Sequence, residues 1–206
     1  IKNNNNRRAS DFALNLDGAD DYVEIQNEEN GAIVTGYPFT FSAWFKTPGP
    51  GPEQDDMVLL SLSDPNLASV YYGIHLRLFK DFYKAQVKSR VGSKNYRKST
   101  NQNVSDDTWH QIVGVFTADG KRKLYLDGIY EGMSSSVLDF DGDAVILNIG
   151  RWGDKTPNNY YHGLIDNVCV WDYELESEEV AYHYNNDPQG NEEGLLGYYT
   201  FNSGTG

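Results

Sequence analysis

WHQIVGVFTADGKRKLYLDGIY, residues 109–130, contains two Asp-Gly pairs, Asp119-Gly120 and Asp127-Gly128. An Asp-Gly pair supplies the positive φ that tight hairpin turns require, so two of them around a short run predict a β-meander. Residues 109–117 read as one strand, 122–126 as a second, and a third begins at Ile129. In the first strand Ile112, Gly114 and Phe116 point one way, and Trp109, Val113 and Val115 the other. Both faces are apolar, which suits a central strand that meets a second sheet inside and is partly covered outside.

The remaining sequence extends this pattern. A chain of 206 residues fits one all-β unit with a sizeable core. Its nine Phe, four Trp and fifteen Tyr are residues that sheets favour. So many tyrosines exceed what a core absorbs, because each buried hydroxyl wants a partner; some are expected at the surface. The formal net charge of −13 argues against nucleic acid and against an anionic membrane as partners. It suits a secreted protein that binds cations or neutral polymers, and equally plain solubility. Cys169, the single cysteine, lies in the apolar stretch 167–171 and reads as a small buried hydrophobe. No apolar run is long enough to span a membrane. Residues 1–10, rich in Asn, read as a linker or tail, residues 11–206 as one domain, and the whole as a piece of a longer, extracellular protein.

Alternation marks the other strands. Phe12, Leu14 and Leu16 precede an acidic loop, residues 17–21, and Tyr22, Val23 and Ile25 follow it. Phe39, Phe41 and Ala43 alternate with Thr40, Ser42 and Trp44. Residues 57–62, 71–79, 82–90, 94–100, 144–150, 162–171 and 195–202 complete the set, with Pro- and Gly-rich loops between them. Residues 177–184 form the one expected helix, short, with Ser177 as N-cap and Glu178 and Glu179 in its first turn. About a dozen short strands and one helix near the C-terminus imply an all-β, two-sheet antiparallel sandwich of jelly-roll type.

Six segments in order, ALNLDGADDYVEI (13–25), FTFSAWF (39–45), WHQIVGVF (109–116), KLYLDG (123–128), NIG (148–150) and GLIDNV (163–168) followed by the acidic helix, resemble the concanavalin A-like, laminin G-type domains of secreted bacterial proteins. That resemblance covers nearly the whole chain and implies the sandwich fold. The fold hosts lectins, enzymes, adhesion modules and spacers, so it leaves the ligand open. The closing segment GLLGYYTFN (194–202) also resembles the family, and is expected to complete this domain's sheet.

Asp17, Asp20 and Asp21 are the best metal candidates. Calcium takes about six to eight oxygens, and three carboxylates around Gly18 supply half of them. The resemblance adds a fourth ligand, Asp166, and a structural calcium between the acidic loop and that strand. A solvated turn with Asp166 hydrogen-bonded is the alternative. Residues 139–143 form a second, weaker acidic candidate. For sugar binding, exposed rings stack on pyranose faces while Asn, Asp and Arg engage hydroxyls. Residues 151–161 supply Arg151, Trp152, Asn158, Tyr160 and Tyr161, and Tyr71, Tyr72, His75, Arg77 and Tyr96 are placed on the open face of a sheet. No strand carries the paired carboxylates of the related glucanases, and the four histidines are scattered, with no nucleophile at a readable spacing. The expectation is a non-catalytic carbohydrate-binding or adhesion module with calcium, whose partner is a polysaccharide or glycan, and which also contacts other protein domains. A structural or protein-interaction domain of the same fold is the rival, and a glycoside hydrolase or lyase a third reading.

Overall fold

The computed structural model describes residues 12–25, 33–49, 56–142 and 144–203. The expected linker, residues 1–10, lies outside them. Thirteen strands and one helix follow one another there: β1 (Leu14–Asp17), β2 (Val23–Ile25), β3 (Phe39–Lys46), β4 (Met57–Ser63), β5 (Val70–Phe79), β6 (Phe82–Val91), β7 (Lys94–Ser99), β8 (His110–Phe116), β9 (Arg122–Leu126), β10 (Ile129–Ser134), β11 (Ile146–Ile149), β12 (His162–Trp171), α1 (Ser177–Asn185) and β13 (Leu195–Tyr199). The first sheet has the order β1-β12-β3-β8-β9-β10, with β13 also on β12, and the second β2-β11-β4-β5-β6-β7. All pairings are antiparallel. The closing segment thus completes the first sheet, as expected.

The two Asp-Gly turns differ. Asp127 and Gly128 both have positive φ, 51° and 77°, and join Leu126 directly to its partner Ile129, the geometry whose twist matches the flanking strands. At the other turn only Gly120 is left-handed. That loop is longer, closed by the Thr117 N–H donating to the Lys121 carbonyl at 3.0 Å.

The alternation of β8 sorts its residues as expected. Ile112 and Phe116 enter the core between the sheets, with Phe39, Phe41, Phe45, Tyr72, Ile74 and Val87. Between them Gly114 lets the second sheet approach: a Cβ there would lie 2.5 Å from Ile74 Cγ2 and 3.0 Å from Val87 Cγ2. The opposite face, Val113 and Val115, is roofed by Leu175 and the helical Val180, with Cys169 and Trp171 beside them. Cys169 is buried, as read from the sequence.

Helix α1 begins differently from the expectation. Its N-cap is Glu176, not Ser177. The Glu179 carboxylate reaches back to accept from the Glu176 N–H at 2.8 Å, half of a capping box. The Ser177 hydroxyl lies 3.2 Å from the Tyr125 hydroxyl and so tethers the helix to the meander.

Candidate functional site

The loop expected to display aromatic rings is a lid. Trp152 is buried and stacks on Tyr71 at 4.0 Å between centroids, with the His75 ring 5.5 Å away. Gly73 makes room for it, because a Cβ there would sit 2.9 Å from the indole Cζ3. Asp154, also buried, accepts from the Ser69 N–H at 2.8 Å and from the Thr156 N–H at 3.2 Å, which fixes the loop over the sheet. Tyr161 is fully buried and donates to the Lys46 carbonyl at 3.0 Å; burial holds its hydroxyl well above the usual tyrosine range. Arg151 is buried as well. It stacks on Tyr22 at 3.3 Å and donates to Asn148 Oδ1 and Glu24 Oε2, both at 2.9 Å, so it pins β2 rather than a ligand.

The open-face residues divide in the same way. Tyr72 points inward, where its hydroxyl accepts from the Asp141 N–H at 2.7 Å and donates to the Asp139 carbonyl at 3.3 Å. Tyr96 packs against the core, beneath the buried Arg122 guanidinium. His75 is on the outer face but completely buried. Of the ten residues, Asn158 is exposed, and Tyr160, Arg77 and Tyr96 are half-buried. A ring that packs is not free to stack on sugar, so Trp152, Tyr161, Tyr71, Tyr72 and His75 serve packing, contrary to the expectation, and Arg151 serves its ion pair.

The acidic loop keeps its geometry but loses a member. Asp17, Asp20 and Asp21 are exposed and bring carboxylate oxygens within 4.8 Å of one another. Asp17 Oδ1 accepts from the Ala19 N–H at 2.8 Å, and Asp21 Oδ2 from the Asp17 N–H at 3.2 Å. Three hard oxygen donors on one turn fit calcium chemistry and fill part of its shell. Asp166 does not join them. Asp17 pairs with His162, and Asp166 lies four residues further along β12, about 13 Å at strand rise. Asp166 is instead buried at a bulge, where its Oδ1 accepts from the Asn167 N–H at 2.7 Å. In the second acidic segment, Asp143 lies outside the described residues.

The structure adds a site that the sequence did not announce. Beside α1 an open cleft of about 660 Å³ is lined by Trp171, Asp172, Tyr173, Glu179, Tyr182, His183, Glu192, Glu193 and Gly194. Gly194 closes it: its φ of +75° and the space beside it, where a Cβ would meet Tyr173 Cδ1 at 2.6 Å, bring the 190s loop onto that ring. The Asp172 N–H donates to the Gly194 carbonyl at 2.9 Å. The Tyr173 hydroxyl donates to Glu179 Oε1 at 3.1 Å and is pushed up to about 12 by burial and by the charges of Glu179, Asp172 and Glu193. Slight burial works to raise the Glu192 carboxyl, but the amides of Gln189 and Gly190 outweigh it and hold the group below the usual carboxylate range. Tyr182 projects its ring, 60% exposed, at the rim. The cleft therefore combines an exposed aromatic face with hydroxyl-accepting carboxylates, and no Lys or Arg is in its lining among the described residues. Its residues come from three separated segments. The readable signal was Tyr182, an aromatic on the polar side of a helix.

A laminin G family model described as the concanavalin A-like lectin/glucanases superfamily matches residues 17–181. No curated protein matches the sequence. Among solved structures, a Bacteroides ovatus protein described as carbohydrate binding superposes with a TM-score of 0.65 at 19% identity, over 93% of this chain and 51% of that one. This chain thus spans about half of that protein's length. A heptameric SAP-like pentraxin from Limulus polyphemus gives a TM-score of 0.65 at 15% identity, over 94% and 97% of the two chains. The CBM40 of the Ruminococcus gnavus IT-sialidase, bound to α2,3-sialyllactose, gives 0.59 at 14%, over 79% and 96%. At such identities the likeness is one of fold. The family match spans most of the sequence, and with the sandwich topology it establishes that the chain belongs to the concanavalin A-like lectin/glucanases superfamily.

Proposed function

We propose that this domain is a non-catalytic carbohydrate-binding or adhesion module of a larger secreted or cell-surface protein, steadied by calcium at Asp17, Asp20 and Asp21. The observation that carries the reading is the cleft beside α1, where the exposed Tyr182 ring stands next to Tyr173, Asp172 and Glu193. A pyranose stacks on such a ring while its hydroxyls donate to the carboxylates. The lining favours neutral or amino sugars over acidic ones, because its four carboxylates face no Lys or Arg among the described residues. Solved relatives described as carbohydrate binding, or bound to a sugar, support the class of ligand. Glu192 is engaged by two amides and held ionised, unlike the raised carboxylic acid that glycoside cleavage uses as proton donor.

Calorimetric titration with neutral, amino and acidic oligosaccharides tests this. Tyr182→Ala is expected to weaken binding about tenfold, the scale of one lost aromatic contact. Equal affinity in the variant would remove the cleft from the reading.

One observation favours the second reading, a protein-interaction domain. Strand β10 ends the first sheet, and Ile129, Tyr130 and Met133 on it are 65%, 50% and 42% exposed. An apolar sheet edge of this kind accepts a further strand or an apolar partner surface. Pull-down with and without an Ile129→Lys substitution distinguishes the two: loss of a protein partner with glycan affinity intact supports the second.

A further inference from the structure

Positive charge is concentrated on one sheet. Eight of the seventeen Lys and Arg residues lie between Arg77 and Lys98, accompanied there by one acid, Asp81, in a chain whose net charge is −13. The register then lines four of them up on the outer face of the second sheet. Arg77 stands directly opposite Lys84, and Lys88 directly opposite Arg97. Like charges placed opposite one another weaken a sheet. None of the four has an acidic partner among the described residues. The two pairs are four residues apart along β6, about 13 Å at strand rise.

Two of the four cations are held in place. The Lys84 ammonium lies 3.8 Å over the Phe79 ring, and that of Lys88 lies 5.1 Å over Tyr71 and 5.6 Å over Trp152. Such seats fix an amine without neutralising it. Between the two pairs, on the same face, is His75. It is fully buried, and both of its ring nitrogens lack a hydrogen-bond partner among the described residues. Its nearest carboxylate is Asp56, 3.9 Å from Nε2. Burial, with the nearby positive charges of Lys88, Arg77 and Arg97, holds its pKa well below the usual histidine value.

We propose that this face binds an anionic polysaccharide, whose sulfate or carboxylate groups bridge the Arg77–Lys84 and Lys88–Arg97 pairs. The ligand class rests on the reading of the domain as a glycan-binding module, but the surface is separate from the cleft beside α1. A nucleic acid fits less well. Single-stranded chains gain affinity by stacking bases on free aromatic faces, and here the rings of Phe79, Tyr71 and Trp152 are already covered by amines or by one another. An anionic sugar needs only the charges.

The test is retention of the whole chain on immobilised heparin and on immobilised polygalacturonate under a sodium chloride gradient, with an oligothymidylate titration alongside. The expected result is retention at low salt on at least one column, the column showing which anion is read, and affinity at least about tenfold weaker in the double variant Lys84→Glu, Arg97→Glu. Each new glutamate faces a remaining cation, Arg77 or Lys88, so the melting temperature is expected to hold or rise, and lost retention is then not lost folding. Lys121→Glu, in the turn between β8 and β9 of the first sheet, is expected to change nothing. Passage of the wild type through both columns, unchanged retention of the double variant, or equally tight oligothymidylate binding each overturns the proposal. Neutral-sugar affinity at the cleft is read separately with Tyr182→Ala, so the two readings fail independently.

Discussion

The outer face of the first sheet is roofed by a helix, and the outer face of the second by a loop. Under the helix, Val180 and Leu175 seal Val113, Val115 and Trp171. Under the loop, Trp152 seals Tyr71 and Val58. Both roofs are apolar, yet their rims carry opposite charge. The helix side gathers Asp172, Glu179, Glu192 and Glu193 around a cleft, whereas the loop side borders Lys88, Arg77 and Lys84. An aromatic residue in a roof serves packing, and what the rim carries decides what the face can bind.

The largest expected effect on this comparison comes from removing a roof. Trp152→Ala is expected to cost about 3–5 kcal/mol of stability, the range for a buried tryptophan, measured by chemical denaturation. An unchanged midpoint would show that the indole is a free platform after all.

The two sheets are also joined by the acidic loop, since Asp17 ends β1 in the first and β2 follows in the second. With calcium at a hundred times its dissociation constant, binding adds about 2.7 kcal/mol to the native state, or about 5–10 °C in melting temperature for a chain of this size. Chelator is expected to abolish that shift, and Asp20→Asn to abolish the response to chelator. A melting curve indifferent to calcium would refute the metal.

A smaller effect separates the sheets by pH. His110, on the first, lies 2.8 Å from Asp127 and 3.2 Å from Asp106. Burial lowers its pKa, but the two carboxylates outweigh this and raise it. A raised folded-state pKa gives stability that is complete below the unfolded value, about 6.5, and is lost as pH rises through the folded value. His75, on the second, is lowered by burial and by Lys88, Arg77 and Arg97. Its contribution is present above about 6.5 and is lost as pH falls below it. Melting curves of His110→Gln and His75→Gln between pH 5 and 8 should therefore change slope in opposite senses. The same sign in both would contradict the charge division.

The smallest expected effect is on the stability of Tyr182→Ala, within about 0.5 kcal/mol, as for an exposed position. A larger loss would make that ring a packing residue.

Much of the fold was legible because it is written in local signals. The positive φ at Gly120 and at Asp127-Gly128 and the alternation of Ile112, Gly114 and Phe116 each report on a neighbour in sequence. The sites were not, because burial is decided by what folds over a residue. Trp152 in a polar loop reads the same whether it faces solvent or Tyr71, and the glycine that makes room for it, Gly73, is 79 positions away. Asp166 was placed beside Asp17 by resemblance, while the register puts His162 there. The whole-chain charge of −13 concealed the basic strands, because a sum carries no address. The cleft escaped notice since Tyr173, Tyr182 and Glu193 converge only when β13 returns to β12.

Gly114 ties these surfaces together. The missing methyl at that position sets the thickness of the slab at its middle, where Ile74 leans in from β5. An alanine there would act as a wedge, tilting β5 and its flanking strands outward. The spacing of every cation on the far side would then be altered by a change no ligand could touch, so tuning of that surface is open to substitution from within the core.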